Sequence, residues 1–110
     1  MKLILSAIEP TLADAWHRLC GDIDIVSLRR GSIIDLKYDA VASPVNSFGF
    51  MDGGIDRIYG NQLGWKVQDR LQRQIREWHR GELLVGNAEI VSTDRPRIPY
   101  LIAAQRCEYP

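Results

Sequence analysis

The segment from Asp39 to Gly54, reading DAVASPVNSFGFMDGG, constrains this chain more than any other. From Asp39 to Val45 it is mostly small and apolar, which suits a strand buried on both faces. Pro44 has no N–H for a ladder, so it belongs at the end of that strand. Asn46 follows at once, and three glycines then interrupt the pattern, so residues 46–54 read as a loop. Beyond it, Ile58, Val67, Leu71, Ile75 and Trp78 recur at helical spacing, with Arg70, Arg73, Gln74, Arg76 and Glu77 on the other side. They predict a long helix from about Ile55 to His79, bent or broken by Gly60 and Gly64 near Asn61-Gln62 and ended by Gly81.

The rest of the pattern fits around this unit. Lys2 to Ile8 reads as a strand. Pro10-Thr11 opens a helix over Leu12 to Cys20, where proline's missing N–H costs nothing, and Gly21 stops it. Leu12, Ala15, Trp16 and Leu19 share one face. Ile23 to Leu28 alternates and then runs apolar, as a strand does. Leu83 to Val91 reads as a strand with Gly86 as a bulge, Asp94 to Arg97 as a turn, and Ile98 to Ala104 as a last strand. Helices alternating with apolar strands imply a layered α/β sheet.

Composition narrows the function classes. The 110 residues make one domain's worth of chain, and the expectation is a single domain over 1–110. Fourteen basic residues balance fourteen acidic ones. A nucleic-acid binder usually shows a basic excess, and so does a polybasic membrane anchor. Neither partner is expected. No apolar run reaches the roughly 18 residues of a membrane-spanning helix, and the N-terminus lacks the pattern of a secretory signal. A cytoplasmic protein is expected. Cys20 and Cys107 form no C-x-x-C pair and no zinc spacing, so they read as free thiols. No metal or cofactor is expected.

The loop is where chemistry would gather. Ligands of open α/β sheets collect at the carboxyl ends of strands. Helix N-termini offer unpaired N–H groups to phosphates, and glycine lets a ligand approach the backbone. Asn46 has a donor and an acceptor for a sugar hydroxyl, and Phe48 and Phe50 have faces to flank a ring or a ribose. The plain alternative is a structural turn. Asp52 reads as an N-cap of the following helix, a role that occupies the donors a phosphate wants. His17 and His79 read as helix-surface residues, and Arg70, Arg73, Arg76 and Arg80 as a solvated helix face. Trp16, Trp65 and Trp78 read as packing anchors.

Four stretches resemble the macro domain, the ADP-ribose-binding module. Arg30 to Ser47, RGSIIDLKYDAVASPVNS, resembles that family's "GDI…DAIVNxAN" stretch. Phe48 to Asp56 sits where the family has its first phosphate loop. Gly86 to Ile90 resembles its "TGEA" strand, and Ile98 to Ala104 its "YVIHTV" strand. The loop is closest to a bacterial and phage-related branch reading "SPANSFGFMDGGID". The resemblance covers Ile23 to Ala104. It implies a three-layer α/β/α fold with a mixed sheet. It also implies a ligand site in which Asn46 meets the distal ribose, Gly53, Gly54 and Ile55 form the phosphate loop and helix start, Phe48 lies beside it, and Ile33 lies against adenine. Ser32 stands where the family usually has an adenine-binding aspartate, Ser43 where many members have a second asparagine, and Asp52 where they have glycine.

The family continues past Ala104 with a further helix, strands and a second glycine-rich loop. The expectation is a macro-like domain incomplete at its C-terminal end. The tail Gln105 to Pro110 also equals a shifted-frame reading. CCA-ACG-ATG-CGA-GTA-CCC encodes the related branch's Pro-Thr-Met-Arg-Val-Pro, and starting one base later gives Gln-Arg-Cys-Glu-Tyr and the first two bases of a proline codon. A frameshift origin for the tail follows as an expectation that the gene's nucleotide sequence decides. Incompleteness would leave a sheet edge and an apolar face uncovered, which predicts a homodimer or swapped oligomer burying Tyr100, Leu101 and Ile102. The leading functional expectation is a binding module for ADP-ribose or a related nucleotide. The alternative is a non-enzymatic interaction protein, with an ADP-ribose hydrolase behind both.

Overall fold

The structure, a computed structural model, describes residues 1–46, 48–51 and 54–105, with the side chain of Asp35 excepted. Ser47, Asp52, Gly53 and residues 106–110 lie outside it, and with them the capping role read for Asp52, the phosphate-loop role of Gly53 and most of the tail. The protein is α/β, and the chain divides into two compact units, Met1–Leu36 and Lys37–Pro110.

In the first unit β1 (Leu3–Ala7) pairs in parallel with β2 (Val26–Arg30), Leu3 opposite Val26 and Ala7 opposite Arg30. Parallel strands need a crossover, and α1 (Pro10–Cys20) provides it, with proline in its first turn. The second strand starts later than the alternation predicts. Ile23 N–H bonds the Cys20 carbonyl at 3.1 Å and Val26 N–H bonds that of Ile23 at 3.0 Å, so a turn holds this stretch. The helix turns in only part of the face expected, Ala15 and Trp16. Leu12 and Leu19 are exposed, while Ala13, Ala15, Trp16 and Cys20 are half-buried. A 3₁₀ turn, Ile33–Asp35, follows β2.

In the second unit β3 (Ala40–Ser43), β5 (Tyr100–Ala104) and β4 (Ala88–Ser92) form a sheet in the order β3-β5-β4, with β5 parallel to β3 and antiparallel to β4. The long helical pattern is two helices, α2 (Gly54–Leu63) and α3 (Lys66–Trp78). The break falls at Gly64, whose φ of +95° is left-handed backbone that favours glycine. Gly60 breaks nothing. A Cβ there would lie 2.5 Å from the Trp65 ring, so its bare Cα is what admits the indole onto α2. β4 starts at Ala88, not Leu83, and Gly86, with φ +93°, lies in the turn before it rather than in a bulge.

One sheet face carries Val41, Ser43, Val91, Leu101 and Ala103, all buried, and with Tyr59, Leu63, Val67, Leu71 and Ile75 of the helices they make the core. The other face carries Ala42, Ile102 and Ile90 side by side in register, with Tyr100 one step along. Ile90 and Tyr100 are exposed there. Leu101 points the other way and is fully buried, so it is a core residue and not part of the predicted contact surface.

The β4 edge is covered in part. Asn87 accepts from Gln105 N–H and Thr93 donates to the Pro99 carbonyl, so odd-numbered positions of this strand turn toward β5 and even-numbered ones turn outward. The outward carbonyl of Ile90 accepts from Gln74 Nε2 at 3.2 Å, and that of Ser92 from Arg70 at 2.8 Å. Helix α3 thus occupies acceptors that another strand would use. Among the described residues no helix is long and apolar enough to cross a membrane.

Candidate functional site

The loop after β3 is held by its own residues. Asn46 Oδ1 accepts from the amides of Phe48 and Phe50 at 3.0 and 3.1 Å, and the Asn46 carbonyl accepts from Gly49 N–H at 3.1 Å. An asparagine side chain commonly closes a turn this way. Met51 N–H donates to Gln68 Oε1 of α3 at 2.7 Å. Val45 and Met51 are fully buried at the two ends. Gly49, with φ +78°, presses on α3 so closely that a Cβ would lie 2.9 Å from Ile75 Cδ1. Between these anchors Phe48 and Phe50 stand out, 55% and 48% exposed.

This arrangement changes what the loop offers. The amides of Phe48, Gly49, Phe50 and Met51 all have partners inside the chain, so none of the four is a phosphate donor. What remains at this end among the described residues is the start of α2, where Gly54 has φ +56° and open space around it and Ile55 is half-buried. Asn46 spends its amide oxygen on the loop, and its amide nitrogen has no partner among the described residues. In the first unit Ser32 caps the 3₁₀ turn, its hydroxyl accepting from Ile34 N–H at 3.3 Å, and Ile33 opens that turn. The Ser32 carbonyl accepts from Arg29 at 2.6 Å.

Beneath the loop lies a buried polar group that the sequence reading did not single out. Asp56, in the first turn of α2, accepts a hydrogen bond from Ser43 at the end of β3, and both are buried. Tyr59 donates to the Ala42 carbonyl at 3.1 Å. Burial first, then the Asp56 carboxylate and Tyr38, push the Tyr59 hydroxyl up to about 12. The buried Tyr38 hydroxyl has no partner among the described residues. These bonds tie α2 to the strand that launches the loop. The visible signal was an acidic residue in a helix first turn, three positions before a tyrosine.

Two other polar clusters hold the second unit together. His79 Nε2 lies 2.6 Å from Glu89 Oε1, and Gln74 Nε2 donates to the other carboxylate oxygen at 2.8 Å, joining α3 to β4. His79 is therefore half-buried and partnered, rather than on the helix surface. Arg70 pairs with Asp94, and that hydrogen bond with the guanidinium charge holds the Asp94 carboxyl below its usual range. Among the described residues there is no group of metal-ligating side chains. The chain matches no protein-family model and no curated protein.

Proposed function

We propose that the second unit binds ADP-ribose or a related nucleotide at the loop after β3, as the resemblance to macro domains implies. The observation that carries this reading is the pair of exposed rings, Phe48 and Phe50, on a stretch whose described amides are bonded to Asn46 and Gln68. Exposed aromatics are costly, and rings carried on a held backbone lose less entropy when a base or ribose stacks on them. The loop leaves the carboxyl end of β3, beside the carboxyl end of the parallel strand β5. Among the described residues, phosphate contacts fall to the helix start at Gly54 and Ile55, because the amides of Phe48, Gly49, Phe50 and Met51 are spent. Asn46 contributes its amide nitrogen to a ribose hydroxyl.

Titration calorimetry with ADP-ribose tests this. Wild-type protein should give saturable heat, and Phe48→Ala with Phe50→Ala should lose about 1–3 kcal/mol per stacked ring. Asn46→Ala should weaken binding as well. Absence of saturable heat in the wild type, or an unchanged affinity in the double variant, removes the reading.

A second reading, an interaction protein that self-associates, has its own observation: the in-register row Ala42, Ile102 and Ile90 with Tyr100 on the sheet's uncovered face. Pairing through β4 is disfavoured by the caps that α3 places on its edge. Self-association would use the face instead, and Ile90→Lys should then abolish any dimer seen in sedimentation. A monomer at tens of micromolar (roughly where weak contacts still register) would exclude it.

A further inference from the structure

The outer strands of the sheets differ in what blocks their edges. An unpaired edge is a row of N–H and C=O groups that another strand can bond, and proteins commonly cover or interrupt it. Gln74 and Arg70 cap the outward carbonyls of β4. On β3, Tyr38 N–H donates to the Arg97 carbonyl at 2.9 Å, so even-numbered positions turn toward β5, and the outward ones, Val41 and Ser43, are buried. In the first unit Leu3 N–H donates to the Ile25 carbonyl at 2.8 Å, and the Ala7 carbonyl accepts from Gly31 N–H at 3.0 Å. Odd-numbered positions of β1 and β2 therefore face each other, and even-numbered ones turn outward. On β2 the outward amide of Val26 is spent on the Ile23 carbonyl at 3.0 Å, and the exposed Arg30 ends the row. β1 has no such device. The outward backbone groups of Ile4 and Ser6 have no partner among the described residues, and both residues are part-exposed. The strand reads LILSA, with no proline and no charge inside it.

We infer that β1 pairs antiparallel with β1 of a second copy of this chain, across a two-fold axis at Leu5. The match is self-complementary. Ile4 stands opposite Ser6 of the second copy and Ser6 opposite its Ile4, and each such pair exchanges both of its N–H···O=C bonds. A slip of one residue sets outward groups opposite inward ones, which fixes the register. Leu5 meets Leu5 of the second copy as the close pair between them, and Leu3, 45% exposed, meets Ala7. Leu5 and Leu28 adjoin on the face that Trp16 of α1 covers, so an apolar row runs through both copies. The ends agree in charge. The same register brings the exposed Lys2 of one copy beside the exposed Glu9 of the other, and the Glu9 side chain makes no capping bond to α1 that this contact would break. A two-fold contact uses up both β1 edges, so association stops at the dimer.

Sedimentation equilibrium of the full chain, from about 5 to 500 µM, tests this. A contact this short gives a dissociation constant on the order of 10–100 µM. Ile4→Pro removes an outward N–H and leaves the β1–β2 bonds in place, since an edge strand tolerates proline there. It should weaken the dimer at least about tenfold. Lys2→Glu should weaken it about three- to tenfold, because the two-fold axis repeats the clash, and adding Glu9→Lys should restore it. Amide hydrogen exchange reads the register directly: Ile4 and Ser6 should slow as concentration rises, whereas Leu28, outward on β2, should not. Ile90→Lys should leave the dimer unchanged, which separates this contact from one through the Ile90 face. The inference is overturned by a monomer at about 500 µM, by a dimer that Ile90→Lys abolishes, or by exchange at Ile4 and Ser6 that does not depend on concentration.

Discussion

The two units reach a fold by different means. In Met1–Leu36 only Ala7 is fully buried among the apolar residues, and α1 buries none of its side chains. Its β1–β2 ladder, the crossover helix and bonds such as Ser6 Oγ to the Gly31 carbonyl do most of the ordering. Among the described residues, Lys37–Pro110 holds every other buried apolar residue, from Val41 to Ala103, and adds polar ties between helices and strands. Backbone ladders without a packed interior open easily, whereas a core opens only with the whole unit. The candidate nucleotide loop sits on the second kind of platform, where fixed side chains can hold a ligand geometry.

The sharpest test of that contrast is Leu71→Ala. Leu71 is fully buried on α3. Truncating it should cost about 2–5 kcal/mol, from lost transfer energy and an unfilled cavity, in urea unfolding of the second unit. A loss under about 1 kcal/mol would mean that the site collapses freely and that this interior is no better packed than the first unit.

Alkaline pH separates the units next, because the sequence of the first contains no tyrosine. Tyr59 ionises near 10 in an unfolded chain and about 12 in the fold. Above pH 10 the unfolded chain loses this proton while the fold keeps it. Stability is therefore fully present below 10 and falls as pH rises through the window to about 12, by roughly 2–3 kcal/mol in all. Tyr59→Phe should flatten that slope. An unchanged slope would show that the hydroxyl is not buried as the geometry has it.

Gly60→Ala comes third. The added methyl meets the Trp65 ring, and overpacking of this kind costs about 1–3 kcal/mol. The same denaturation experiment should show recovery when Trp65→Leu is combined with it, since a smaller side chain gives the methyl room.

These positions also show what sequence patterns carry. The strand–loop–helix order around Asn46 was legible because burial leaves a periodicity of 2 or 3.6 that side-chain chemistry cannot disguise. The start of β2 was not, because Ile23 and Ile25 have strand-like side chains while two local backbone bonds commit them to a turn. Gly86 and Gly64 both interrupt apolar patterns and both have positive φ, and only where the neighbouring strand and helices begin and end tells a turn from a bulge or a bend. At the loop, asparagine and glycines signalled a turn and gave its place. They could not say whether the Asn46 oxygen would face a ligand or fold back onto Phe48 and Phe50, since an asparagine serves both ends equally well. Gln68 and Asp56 were missed for a related reason, because a polar residue on a helix declares its bond partner only when the strand beneath is placed.

The smallest effect closes the comparison on matched chemistry. Leu19 of α1 and Leu71 of α3 are both leucines in helices that cross over a sheet, and both occupy positions that sequence spacing assigns to an apolar face. Leu19 is 69% exposed and Leu71 is not exposed at all. Leu19→Ala removes little contact area and gains slightly in helix propensity, so its effect should stay within about 0.5 kcal/mol of wild type in the same urea measurement. A loss comparable to that of Leu71→Ala would mean that the exposed face of α1 is covered in solution, and the first unit would then owe its order to packing after all.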